Sequence, residues 1–85
     1  MHTQKLTYTN RTQSRLRIIL EPWAEEYWLD PGEHVDIEGR SESPGSLVQE
    51  IEHASEGPII YGSEGSVVLI LGDGNELPPT PTPTR

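Results

Sequence analysis

The sequence predicts a small all-β domain, an antiparallel β-sandwich or partly open barrel of about seven short strands. Three observations carry that expectation. Apolar residues recur with a period of two, as they do when alternate side chains of a strand point to opposite faces. Breaks rich in Gly, Pro, Asn and Ser return about every 8–12 residues, the spacing of short strands joined by turns. Only one stretch, Leu47 to Ser55, offers helical spacing as an alternative.

Strands are expected near 4–9, 15–21, 25–29, 34–39, 46–53, 58–61 and 66–71. The first two are separated by the polar break Asn10-Arg11-Thr12-Gln13-Ser14. In the second, Leu16, Ile18 and Leu20 alternate with Arg15 and Arg17. Glu21-Pro22 ends it, and the third strand follows. Asp30-Pro31-Gly32-Glu33 has proline at the second and glycine at the third turn position, the chemistry of a type II turn. Val35 and Ile37 then alternate with His34, Asp36 and Glu38. In the fifth segment Leu47 and Ile51 share a face, with Val48, Glu50 and Glu52 opposite. Leu47, Val48, Ile51 and Ala54 also fit a helix, but the neighbours are all strand and the strand is preferred. Ser55-Glu56-Gly57-Pro58, Gly62-Ser63-Glu64-Gly65 and Gly72-Asp73-Gly74-Asn75 supply the remaining turns. Leu77 adds a short finishing contact.

The strand Val67-Val68-Leu69-Ile70-Leu71 is apolar on both faces, the pattern of a strand covered on both sides. A two-layer sandwich covers only one face of each sheet. The expectation is an outward-facing set with Val68 and Ile70 at its centre, joined by residues such as Ile19, Val48, Ile60 or Trp28. Such a patch marks an interaction surface.

Eighty-five residues make one domain, assigned to residues 1–77, and the tail 78–85, PPTPTPTR, is expected to be disordered. A domain this small is marginal in its buried core. It has no cysteine, so neither a disulfide nor a cysteine zinc site can reinforce it. No apolar run approaches the ~18 residues of a membrane span, and the start lacks a signal-peptide pattern. The reading is therefore cytoplasmic, and the sequon Asn10-Arg11-Thr12 is taken as chance.

Charge is unevenly placed. Residues 1–20 hold four bases and no acid, whereas 21–84 hold fourteen acids and one base, for a net charge of −8. That balance excludes nucleic acid as a partner and permits a basic protein. Within the domain it suggests a basic N-terminal hairpin beside acidic strands, paired by cross-strand charges.

The candidate binding residues are Glu21, Trp23, Glu25 and Trp28, where carboxylates meet aromatic platforms that suit sugars or cations. Val68 and Ile70 complete the set as the apolar face. Paired carboxylates also occur in glycosidases, but ~75 folded residues rarely build a water-excluding cleft, so no catalytic residue is assigned. His34 and Asp36 share a strand face, yet three histidines without a ligand motif predict no metal site, and no cofactor is expected. Asp73-Gly74-Asn75 reads as a turn and not a calcium loop.

The stretch Leu20-Glu21-Pro22-Trp23-Ala24-Glu25-Glu26-Tyr27-Trp28-Leu29-Asp30-Pro31-Gly32-Glu33, with Ile59-Ile60-Tyr61-Gly62 and Asp73-Gly74-Asn75-Glu76-Leu77, resembles small bacterial β-domain proteins of uncharacterised function. Those pair an E-P-W segment with a P-G-E turn and end in a D-G-x-x-L element. The likeness covers residues 15–77. It implies a bacterial cytosolic protein and brings no activity or site residue with it.

The function expected is that of a non-enzymatic protein-binding or assembly module acting through an apolar sheet face, by partner burial or self-association. The alternatives are a small-ligand or carbohydrate-binding domain using the Glu21–Trp28 region, and an acidic inhibitor or immunity-type protein capping a basic enzyme.

Overall fold

The structure, a computed structural model, describes residues 1–42, 48–63 and 65–80. The strands are β1 (His2–Thr9), β2 (Leu16–Glu21), β3 (Glu25–Leu29), β4 (His34–Ser41), β5 (Val48–Ala54), β6 (Gly57–Gly62), β7 (Val67–Gly72) and β8 (Asn75–Glu76). Seven match the segments expected from the period of two; β8 is the added one. The stretch with helical spacing is strand β5.

Two four-stranded sheets form the domain, in the orders β1-β4-β7-β8 and β3-β2-β6-β5. Their facing sides enclose one core of Ile18, Leu20, Tyr27, Leu29, Val35, Ile37, Ile60, Val68 and Ile70, with Leu6, Tyr8, Val48 and Leu77 packed at its margin. The expected small β-sandwich is thus the fold. Each fully buried aliphatic side chain here contributes about 1.5–3 kcal/mol, which is how so short a chain holds two layers together.

All pairings are antiparallel except β2 with β6, which run parallel with Ile19 opposite Ile59 and Leu20 opposite Ile60. The chain leaves the second sheet after β3, builds β4, and returns as the β5–β6 hairpin, so β6 arrives beside β2 in the same direction. The junction is close. The Arg17 N–H donates to the Glu56 carbonyl at 2.7 Å. A Cβ on Gly57, whose φ is +141°, would lie 2.1 Å from the Arg17 carbonyl oxygen.

Two turns follow their sequence chemistry. Gly32 has φ +83°, and the Glu33 N–H reaches the Asp30 carbonyl at 3.0 Å. Asp73 and Gly74, at φ 52° and 82°, form the two-residue hairpin that joins β7 to β8.

Four expectations are corrected. Val68 and Ile70 do not face outward: they are 5% and 0% exposed and belong to the core. A strand that is apolar at every position leaves its parity open, and the outward positions prove to be Val67, exposed, and Leu69, half-buried, while Leu71 is covered. Ile60 is likewise inside.

The basic N-terminal segment is not a hairpin, because β1 and β2 lie in different sheets. Asn10 makes the crossing. It is fully buried. Its side-chain amide donates to the Ser14 and Leu29 carbonyls, both at 2.9 Å, and its Oδ1 accepts from the Thr12 N–H and hydroxyl. This side chain is a structural joint, with its nitrogen fully engaged.

In β5, an irregularity between Val48 and Glu50 resets the alternation. Val48 therefore packs on the core, where opposition to Ile51 was expected, and Ile51 is exposed on the edge strand. Leu47 lies outside the described residues.

Finally, Pro78–Thr80 are not part of a free tail. The Leu77 N–H donates to the Ile70 carbonyl at 2.8 Å and the Thr80 N–H to the Glu26 carbonyl at 2.7 Å. The segment after β8 thus links β7 to the edge strand β3. Residues 81–85 lie outside the described residues.

Candidate functional site

Two surfaces gather the residues expected to bind. The first is the outer face of the second sheet. Registers set its rows: Glu26, Ile19, Ile59 and Glu52 lie side by side across β3, β2, β6 and β5. The next row holds Glu21, Tyr61 and Glu50. Ile19 and Ile59, both half-buried, therefore form an apolar centre with carboxylates on either flank. They also line a shallow depression of about 190 Å³ with Arg17, Ala54, Ser55 and Glu56.

Arg17 is the one cation among these residues. It pairs with Glu26 at 3.1 Å and with Glu56. Its Nε is buried and has no hydrogen-bond partner among the described residues. The Tyr61 hydroxyl donates to Glu52 at 3.0 Å. That hydrogen bond, with lesser contributions from burial and from the charges of Glu52, Glu50 and Glu21, raises the Tyr61 pKa above its ordinary 10. The phenol thus registers the negative potential of the face.

The second surface is a cleft of about 200 Å³ at the β3–β7 side of the sandwich, lined by Trp23, Glu25, Tyr27, Val67, Val68, Leu69, Glu76 and Pro79. Trp23 comes from the β2–β3 turn and is 40% exposed. Its indole lies over Gly62: a Cβ built there would sit 2.6 Å from Cη2 and 3.0 Å from Val68 Cγ2. A side chain at position 62 would displace the ring. Glu25 and Tyr27 are two apart on β3 and share a face, with the Tyr27 hydroxyl 3.3 Å from Glu25 Oε1. Burial, then the charge of Glu25 and the hydrogen bond to it, then the charge of Glu76, push the Tyr27 pKa up to about 12.

The expected site residues divide accordingly. Trp23, Glu25 and Val68 meet at the cleft. Trp28 lies on the outer face, with the Arg15 guanidinium 5.0 Å above its ring, and Arg15 is also paired with Asp30 at 3.3 Å. Glu21 braces the turn by accepting the Ala24 N–H at 3.0 Å, while its register keeps it beside Tyr61. Ile70 belongs to neither surface.

Tyr27, Glu76, Ile59 and Tyr61 were not foreseen as a site, whereas Ile19 was expected on an outward apolar patch and does face outward. Tyr27 had a signal, its i, i+2 relation to Glu25. Ile59 had none, and its place beside Ile19 had none either, since a parallel pairing between distant segments leaves no local trace. Among the described residues no three His, Asp or Glu side chains converge as metal ligands, and no helix is long and apolar enough to cross a membrane. The chain matches no family model, no curated protein and no solved structure.

Proposed function

We propose that the protein is a non-enzymatic, cytoplasmic binding module that docks a basic protein surface on the outer face of its second sheet. The row Glu26–Ile19–Ile59–Glu52 carries this reading. An apolar centre ringed by carboxylates matches the anatomy of an interface, with burial in the middle and charge at the rim. Among the described residues five glutamates, at 21, 26, 50, 52 and 56, stand here against Arg17, while Arg15 at the β3 edge is taken up by Trp28 and Asp30. That imbalance favours a partner rich in Lys and Arg and disfavours a second copy, whose own acids would face these. The face is open to water, which suits docking better than a reaction that needs enclosure. A basic enzyme held in an inhibited complex fits the description.

The test is a titration of isotope-labelled protein with a strand-forming peptide that alternates Lys or Arg with Ile or Val, beside an acidic peptide of the same pattern. The expected shifts cluster on Ile19, Ile59 and Tyr61, follow the basic peptide alone and weaken with salt. Ile19→Ser with Ile59→Ser lowers affinity about ten-fold or more. Shifts spread evenly over the chain, or equal binding of both peptides, overturn the reading. So does sedimentation showing a dimer that protects these rows.

A further inference from the structure

We infer that the cleft beside Trp23 is a binding site for an organic ammonium group, received over the Trp23 ring and beside the Glu25 and Glu76 carboxylates. This inference stands apart from the docking face, which uses other residues of the second sheet.

The first support is uncompensated charge. Glu25 and Glu76 both line the cleft, and among the described residues no Lys, Arg or His does. Among the described residues Glu25 has only the Tyr27 hydroxyl as partner. The raised Tyr27 pKa, in which both carboxylates share, reports the same local field. A cleft with this potential repels anions and attracts cations.

The second support is the wall. An indole presents a face that attracts a cation lying over it, and Trp is the best ring for this; Trp23 is 40% exposed, while Tyr27 borders the cleft from the core. The Trp23 ring lies over Gly62, whose lack of a side chain leaves room for it. Val67, Val68, Leu69 and Pro79 make the remaining lining apolar. That combination suits an alkyl chain that ends in, or is wrapped around, a positive nitrogen. It suits a bare metal ion poorly, since only two carboxylates are present.

The third support is size. At about 200 Å³ the cleft falls below the roughly 300–1,000 Å³ of sites for drug-sized ligands and takes a small group. A lysine side-chain terminus, a small amine and a methylated ammonium are all groups of that kind. The shared chemistry is the ammonium group; its source is either a protein side chain or a free amine.

The experiment uses the full chain with Trp28→Phe, which leaves Trp23 as the only tryptophan. Fluorescence and the Trp23 indole N–H resonance are followed during titration with n-butylammonium, tetramethylammonium and a neutral peptide containing one lysine. Sodium chloride at matched ionic strength and methyl glucoside are run in parallel. The expected result is a saturable change with the ammonium probes, in the millimolar range, and none with salt or glucoside. Glu25→Gln and Glu76→Gln each weaken binding about five-fold. Gly62→Ala, which displaces the indole, weakens it at least as much. Ile19→Ser with Ile59→Ser leaves it unchanged. Tighter binding of the lysine peptide than of n-butylammonium assigns the ligand to a protein side chain; the reverse order assigns it to a free amine. A response no larger than that of sodium chloride overturns the inference. So does a response to glucoside alone, or binding that survives both Gln substitutions in variants whose circular dichroism is unchanged.

Discussion

The outer faces of the two sheets carry opposite solutions to the same composition. On the first sheet, Glu38 sits between Lys5 and Arg40 and pairs with both, and the Thr7 hydroxyl donates to Asp36 at 2.9 Å. Glu38 is 8% exposed, so its charge is covered as well as matched. On the second sheet one guanidinium serves Glu26 and Glu56, while Glu50, Glu52 and Glu21 surround Tyr61 without a cation of their own. A balanced face has spent its charges on the fold. An unbalanced one leaves them available to a partner, and holds two isoleucines in their midst. The difference teaches that the net charge of −8 is less informative than where its neutralisation fails.

The comparison is broken most completely by removing the pairing on which the second face depends. Gly57→Ala places a methyl group against the Arg17 carbonyl at a φ that L side chains rarely adopt. The expected loss is about 3 kcal/mol or more in urea unfolding, with β2 and β6 parted. A stable Gly57→Ala variant with an unchanged midpoint would mean the parallel junction is not needed.

A smaller effect sharpens it. Glu38→Gln strips Lys5 and Arg40 of their shared partner and costs about 1–2 kcal/mol. Glu52→Gln, on the unbalanced face, removes one acid from a crowd of like charges and is neutral to slightly stabilising. Thermal unfolding of the two variants side by side decides the matter, and equal losses would erase the distinction between the faces.

The smallest effect is in the titration of Tyr61. Its pKa is raised in the folded chain, so the neutral phenol is favoured there relative to the unfolded state. The associated stability is present below pH 10, the ordinary phenol value, and is lost as pH rises through the folded pKa. Glu52→Gln brings that ionisation back toward 10, as read from the tyrosinate absorbance band. No movement on this substitution would mean that the acids do not act on Tyr61.

How much of this the sequence disclosed depends on the range of the signal. The strands were legible because side-chain parity is local: Leu16, Ile18 and Leu20 announce β2, and Val35 and Ile37 announce β4. Turns were legible at Asp30–Glu33 and at Asp73-Gly74, where proline and glycine fix the backbone. Parity failed at β7, since five apolar residues in a row offer no polar side to count from. It failed again at β5, where one irregularity reverses the alternation upstream of it. Of the site, Trp23 and Glu25 were visible as an aromatic beside an acid. Trp28 was visible too, but its odd spacing from Glu25 sends it to the other side of β3, under Arg15. Glu76 reaches the cleft because the segment after the β7–β8 hairpin closes against β3, a meeting of residues some fifty apart that no local pattern records.

That closure makes the molecule one-sided. At one flank the first sheet ends in β8, two residues long, and the edge of β3 is engaged by the Thr80 N–H. At the other flank β1 and β5 are the outermost strands, with Gln4 spanning between them to the Val48 N–H at 3.0 Å. Strand addition propagates indefinitely only when an added unit exposes, on its far side, an edge like the one it has just covered. Here the far side offers only the two-residue β8 and a β3 edge already met by the Thr80 N–H. A neighbour joined along β1 or β5 would end the series it began, so the sandwich has a built-in terminator against fibre growth at the cost of four residues, Leu77 to Thr80.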